Sequence, residues 1–105
     1  MLTVDVVIPS TNGLGLFQKH LPSIIKNTPN LNQVIIVDNA SNDLSIQYAK
    51  SLSSKVKVIS NPINNRYTKA VNQGVASSNA DLVVILNNDV HVQADYLKSA
   101  LNYFK

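Results

Sequence analysis

D-L-V-V-I-L-N-N-D-V-H-V, residues 81–92, joins an apolar run to a polar end without a break. Five consecutive apolar residues, Leu82 to Leu86, lead straight into Asn87, Asn88 and Asp89. A β-branched run of this kind is the pattern of a strand buried on both faces, as in a parallel sheet covered by helices. The strand is expected over Asp81–Asn87. Its polar end then falls at the lip of the sheet, where the strands of open α/β folds present ligand-binding groups.

The same pattern recurs upstream. V-I-I-V at 34–37 runs into Asp38, Asn39, Ala40 and Ser41, and predicts a second buried strand over Gln33–Val37. Val4 to Ile8 is a shorter β-rich run, interrupted by Asp5 and ended by Pro9. Lys55 to Ser60 alternates K-V-K-V-I-S, the mark of a half-exposed strand at a sheet edge.

Helical spacing fills the intervals. Leu14, Phe17, Leu21, Ile24 and Ile25 share a face, with Pro22 expected to kink or split that helix near His20. Ser41 or Asn42 is the expected N-cap of a helix carrying Ser45, Tyr48, Ala49 and Leu52 along one side. A third helix is expected over Tyr67–Ser77 with Ala70, Gly74, Val71 and Val75 turned inward. Tyr96, Leu97, Ala100, Leu101 and Phe104 end the chain as an amphipathic helix. The order β-α-β-α-β-α-β-α predicts an α/β domain of Rossmann-like three-layer α/β/α type, with a mostly parallel sheet. Right-handed crossovers and an edge-like third strand favour the order 3-2-1-4. Strands 1 and 4 then flank the switch point, and Ser10-Thr11 and Asn87-Asn88-Asp89 line its crevice, with Asp38 on the neighbouring strand.

Composition narrows the function classes. The chain has 105 residues, suited to one domain, and 45% of them are hydrophobic, which argues against disorder. No apolar run approaches a bilayer's thickness, and the start lacks a signal pattern, so a cytoplasmic place, or a peripheral one at the membrane, is expected. The absence of cysteine excludes a disulfide framework, a thiolate nucleophile and cysteine-ligated zinc. Nine basic residues against six Asp leave a net charge of +3. The lysines are scattered, without the basic stripe of a nucleic-acid binder, and the bias suits an anionic small ligand or a membrane surface.

Each candidate site residue has two readings. Asp89 is the acid at the lip of strand 4, and a carboxylate there can hold Mg²⁺ or Mn²⁺ together with phosphate oxygens; otherwise it caps a turn. Asn88 can bond a ribose hydroxyl, or serve turn chemistry. Asp38 can accept from a base or a ribose, or form an Asx turn. Arg66 can clamp a phosphate or a base carbonyl, or stay solvated. His20 and His91 lack further ligands at metal spacing and read as structural. N-G-L-G-L-F at 12–17 lacks the third glycine of a dinucleotide fingerprint and reads as a turn.

With these residues in line, the chain resembles the N-terminal half of a family 2 glycosyltransferase with the GT-A fold. Four ordered blocks carry the resemblance: V-V-I-P-S-T-N at 6–12, V-I-I-V-D-N-A-S-N-D at 34–43, N-N-R-Y-T-K-A-V-N-Q-G at 64–74 and A-D-L-V-V-I-L-N-N-D-V at 80–90. The second is similar to the family's D-x-x-S-x-D block. The fourth is similar to the strand bearing its D-x-D-type metal motif, with Asn in place of the first acid.

The resemblance implies a nucleoside diphosphate sugar of UDP type as donor, transferred with inversion to a sugar, lipid or protein acceptor. It implies Thr11 at the base or ribose, Asp38 at the base, Arg66 near the base or diphosphate, Asn88 at the ribose and Asp89 on a Mn²⁺ or Mg²⁺ ion. The family's catalytic base and acceptor site belong to its second half, so residues 1–105 read as one truncated donor-binding domain. Truncation would leave the outer edge of strand 4 unpaired, and self-association through it is expected. A non-catalytic nucleotide-binding or scaffold module is the alternative. A receiver-like signalling domain is disfavoured, because Pro9-Ser10 stands where paired acids are needed.

Overall fold

The computed structural model describes residues 2–64 and 66–103. Its elements are β1 (Val4–Ser10), α1 (Leu14–Asn27), β2 (Leu31–Asn39), α2 (Ser45–Leu52), β3 (Val56–Asn61), α3 (Tyr67–Ser77), β4 (Leu82–Ile85) and α4 (Lys98–Tyr103). The strands form one sheet in the order β3-β2-β1-β4, and every pairing is parallel. β3 and β4 are the edges. The expected order holds, and the sheet is wholly parallel among the described residues.

Alternation along the strands builds the layers. Val6, Ile8, Val34 and Ile36 face Phe17, Leu21 and Ile24 of α1 and Ala49 of α2. Val7, Ile35 and Val37 face the other way, onto Ala70 of α3. Burial on both faces is what makes V-V-I and V-I-I-V continuous apolar runs. The L-V-V-I-L run, expected to be buried on both faces as well, is not: Leu82, Val83 and Val84 are half-buried and Ile85 is 45% exposed, because β4 is an edge strand that pairs with β1 alone among the described strands.

α3 comes very close to the sheet. A Cβ at Gly74 would collide with the Val7 side chain and lie 3.2 Å from Val37 Cγ2. The inward stripe of α3 is therefore Ala70 and Gly74. Val71 is half-buried, and Val75, expected inward, is 40% exposed. One residue past Gly74, Val75 is turned about 100° around the helix, off the contact stripe.

α1 runs through Pro22 as a single element, so the expected split does not occur. Phe17, Leu21 and Ile24 are each 1% exposed. Burying each contributes roughly 1.5–3 kcal/mol, which together outweighs the ~3 kcal/mol that an interior proline costs a helix. Pro22 itself is exposed on the opposite side.

Several boundaries differ from expectation. Pro9 does not end β1, which stays paired to β2 through Ser10↔Asp38, and β2 extends over Leu31–Asn39 rather than Gln33–Val37. β4 ends at Ile85 rather than Asn87, because pairing with β1 stops at Val7↔Ile85. Beyond it Leu86 N still donates to Val7 O (3.0 Å), and then the chain leaves the sheet. The last helix begins at Lys98, after turns over 94–97, so Tyr96 precedes it. Tyr96 serves instead as an anchor: its hydroxyl lies 2.6 Å from Thr28 Oγ1 at the end of α1. Burial pushes the Tyr96 phenol up, with the Thr28 bond opposing. Phe104, expected in that helix, lies outside the described residues.

Asp5, the one polar interruption of β1, is fully buried. It sits where the β1–β2 register shifts, and its carboxylate accepts from Gln33 N (2.9 Å), Asn32 Nδ2 (3.0 Å) and Ser78 Oγ (2.5 Å). A buried carboxylate needs such donors, and here they tie β1 to β2 and to the end of α3. At the same end Asp81 accepts from Thr3 N (2.9 Å), which confirms its place at the far end of the strand. No helix among the described residues is long and apolar enough to cross a membrane.

The close approach at Gly74 has a measurable consequence. Gly74→Ala is expected to lower unfolding stability by roughly 1–3 kcal/mol, because the added methyl overpacks against Val7. Gly15→Ala, with nothing within 4 Å of its Cβ, is expected to raise it by up to about 1 kcal/mol through helix propensity. Urea titration of both variants checks the opposite signs.

Candidate functional site

At the carboxyl ends of the strands, the loop after β1 is laced to the loop after β2. Thr11 Oγ1 donates to Asn39 O (3.1 Å), and Asn12 N donates to Ser41 Oγ (2.8 Å). Asn42 N donates to Asn12 Oδ1 (2.8 Å), and Leu14 N donates to Asp43 Oδ2 (3.2 Å). Asn12 and Ala40 have φ of 52° and 57°, the left-handed region. For Ala that region is uncommon, and it persists where surrounding bonds over-determine it. Here Asp38 accepts from Ser41 N (3.3 Å) and from Ser41 Oγ, while Ala40 N donates to Asn61 O (3.0 Å).

These bonds account for D-N-A-S-N-D at 38–43. Asp38 ties down Ser41, and Asp43 accepts from Ser45 N (3.0 Å) as well as from Leu14 N. Asp43, not Ser41 or Asn42, thus holds the entry to α2. The residue at the N-cap position is Leu44, whose side chain makes no cap. Ser41 is not free to cap α2, because Asp38 and Asn12 already occupy it. For the Asp43 carboxyl, partial burial pushes upward, and the hydrogen bonds from Ser45 and Leu14 outweigh it, leaving it below its ordinary value.

The crevice lies between β1 and β4. A cleft of about 320 Å³ is lined by Ser10 and Thr11 from β1 and its loop, by Asn87, Asn88 and Asp89 after β4, and by Tyr67 at the start of α3. Asn88 Nδ2 donates to Ser10 Oγ (3.0 Å), and a Cβ at Gly13 would lie 2.5 Å from that oxygen and 2.9 Å from Asn88 Nδ2. Gly13 therefore lets the two loops meet. Tyr67 Oη donates to Asn87 Oδ1 (3.0 Å) from the other wall. Val90 N closes the turn onto Asn87 O (3.3 Å). Downstream, Val92 is 4% exposed in the α1-side core, and Asn27 Nδ2 donates to its carbonyl (3.0 Å).

Asp89 is thereby presented at the tip of a tethered turn. It is exposed, and among the described residues its carboxylate makes no hydrogen bond or ion pair. Its neighbours Asn87 and Asn88 are each held from a different wall. Four of the other five acids are committed elsewhere: Asp5, Asp38, Asp43 and Asp81 each accept hydrogen bonds that hold the fold.

Of the residues expected at the site, Thr11, Asn88 and Asp89 share the cleft. Asp38, 5% exposed, lines an adjoining hollow of about 410 Å³ with Ser41, Asp43, Gln47 and Ser60. Arg66 is exposed just before α3 and lines a third hollow with Lys69 and Asn72. Asn39, Asn64 and Tyr67 line the main cleft without having stood out in the sequence. The signal they left is the concentration of asparagine after each strand. Behind Asn39, Asn61 Nδ2 donates to its Oδ1 (2.8 Å) and exchanges bonds with Gln73, which joins β2, β3 and α3. His20 and His91 meet edge to face at 5.7 Å, and among the described residues no three potential ligands converge on a metal site.

The sequence model of glycosyl transferase family 2 matches residues 5–105. The chain belongs to that family. Solved structures have the same fold. S. aureus TarS in complex with UDP-GlcNAc gives a TM-score of 0.86 at 22% identity, over 98% of this chain and 31% of that one. The mannosyltransferase PcManGT from Pyrobaculum calidifontis, in complex with GDP-Man and Mn²⁺, gives 0.86 at 20% identity, over 98% and 32%. The chain spans about a third of the length of these proteins. No curated protein matches it in sequence. The family's D-x-x-S-x-D block is thus, in this member, a hydrogen-bonded brace between two loops.

The depressed Asp43 carboxyl makes the brace pH-dependent. A folded value below the unfolded one means that its contribution is present above about pH 4, the ordinary Asp range, and is lost as pH falls through the folded value. Asp43→Asn is expected to lower the thermal midpoint at pH 7, and the gap from the native chain should close on acidification to pH 2–3. A gap that stays constant with pH assigns the effect to shape rather than charge.

Proposed function

We propose that the chain is the donor-binding part of a glycosyltransferase, taking a nucleoside diphosphate sugar of UDP type with a divalent cation at Asp89. The observation that carries this reading is the exposed, unpaired Asp89 carboxylate at the switch-point cleft, on a turn whose flanking side chains are fixed. The bound nucleotides of TarS and PcManGT support the ligand class, and the Mn²⁺ of PcManGT supports the cation.

The donor set fits such an ion in one specific way. A single carboxylate is a poor cage, but Mg²⁺ and Mn²⁺ keep several waters and complete their shell with phosphate oxygens. Asp89 would hold the ion, with diphosphate oxygens and waters completing its shell. When bound, the ion neutralises charge on the departing nucleoside diphosphate.

The chain's own residues divide the rest of the donor. Thr11 and Asn88 stand where they can meet the ribose or base, and Asp38 in the adjoining hollow can accept from a base N–H. Arg66, exposed and without a partner among the described residues, can swing to the diphosphate from the rim. The start of α3 beside the cleft adds a favourable dipole for phosphate. Transfer with inversion needs a base, which takes the proton of the acceptor hydroxyl as that oxygen attacks the anomeric carbon. Asp5, Asp43 and Asp81 are engaged within the fold, Asp38 and Asp89 face the donor, and Asp95 lies beyond the buried Val92 anchor. As in the family it belongs to, whose base and acceptor site lie in its second half, we assign both to residues outside these 105, and the chain by itself is expected to bind donor without transferring it. That accounting also favours the alternative of a binding module, which UDP-sugar hydrolysis by the whole protein would exclude.

Calorimetric titration tests the site. UDP is expected to bind more tightly by about tenfold, or 1.4 kcal/mol, when Mn²⁺ is present. Asp89→Ala should abolish that gain and leave metal-free binding in place. Mn²⁺ without nucleotide should give little heat. A gain that survives in Asp89→Ala, or no binding in either condition, removes the assignment.

A further inference from the structure

We propose that Tyr67 is a positioning residue of the donor site, holding the Asp89 turn in place through Asn87. The inference rests on the donor-site reading above and adds a residue to it. Tyr67 is the first residue of α3, on the opposite wall of the cleft from the Ser10–Asn88 contact. Tyr67 is 51% exposed, so burial alone does not account for it. Its hydroxyl crosses to Asn87 Oδ1 at 3.0 Å.

That bond matters because of where the sheet ends. β4 stops at Ile85, and after Leu86 the backbone has no further strand partner among the described residues. The turn that follows closes on itself with one long bond, Val90 N to Asn87 O at 3.3 Å. Two side-chain ties complete it: Ser10 holds Asn88 from the β1 side, and Tyr67 holds Asn87 from the α3 side. Asp89 stands between the two tied residues and the closing Val90. Removing either tie leaves its carboxylate free to wander relative to a diphosphate in the cleft. Loss of geometry at a ligand costs affinity for the complex that needs the geometry, here nucleotide with cation, and spares contacts made elsewhere.

The phenol suits the task. A tyrosine has two rotatable side-chain angles and loses little entropy on being fixed, yet carries a donor at its tip. Tyr67→Phe removes the donor and keeps the ring.

Two measurements on the free and liganded chain test this. Without ligand, the Val90 amide is expected to exchange with solvent about threefold faster in Tyr67→Phe and in Asn87→Ala, with the double variant no faster than either single one. With ligand, Tyr67→Phe should raise the Kd for UDP in Mn²⁺ by about threefold or more and leave the metal-free Kd unchanged. Equal Val90 exchange in all variants, additive effects, or equal losses with and without Mn²⁺ would overturn the role of Tyr67. A native chain that binds no UDP would instead overturn the donor-site reading, and the positioning role with it.

Discussion

The bracing of the β1–α1 loop by the β2–α2 loop is the interaction on which the rest of the site depends. Each strand end delivers polar groups to one edge of the sheet, but loops at that edge are the part of an α/β fold least fixed by packing. Here the bonds from Thr11, Asn12 and Leu14 to the 39–43 segment remove that freedom. Asn12 and Ala40 take left-handed backbone to make the fit. Ser10, at the base of this brace, then reaches Asn88, so the fixed pair of loops also fixes the turn after β4. A cluster of about a dozen polar residues from three distant parts of the chain is in this way held as one surface.

The layers beneath supply the rigidity that the brace presupposes. β1 is sandwiched between β2 and β4, and its alternate residues feed both cores. Gly74 brings α3 down onto Val7, and that close seat sets where the start of α3, with Tyr67, overhangs the crevice. Sequence, packing and site are linked here through a single missing methyl group.

Much of this was legible in the sequence, for physical reasons. Apolar runs of period one are distinctive of strands buried on both faces, and β1 and β2 could be read from them directly, while the alternation of β3 marked an edge and with right-handed crossovers pointed to the 3-2-1-4 order. β4 carries the same kind of run yet is a half-buried edge, which its local pattern does not show. The bounds of α3 were legible because Arg66 and Ser78 flank a clean amphipathic stretch. Tertiary competition was not legible. Ser41 looks like a cap, but Asp38 and Asn12 claim its hydroxyl, and Asp43 holds the entry to α2 instead. Pro22 looks like a break, but three buried side chains outweigh it. Of the candidate site, Asp89, Asn88 and Thr11 share one cleft as the topology implied, whereas Asp38 and Arg66 line neighbouring hollows. Tyr67 was hidden because its role lies in one long-range hydroxyl bond, which no local pattern marks.

The distribution of carboxylates carries the functional argument. Six acids are present, and the structure uses four of them as hydrogen-bond acceptors within the fold. Among the described residues Asp89 is the acid left unpaired in the crevice, beside neutral amides that add no competing charge. Paramagnetic broadening by Mn²⁺ tests that claim most directly. In amide spectra of the chain with UDP, trace Mn²⁺ is expected to erase the signals of Asn88, Asp89 and Val90 first, then Thr11, while Thr3 and Asp81 at the far end persist. Broadening centred on the His20–His91 pair, or spread evenly over the surface, would contradict the account.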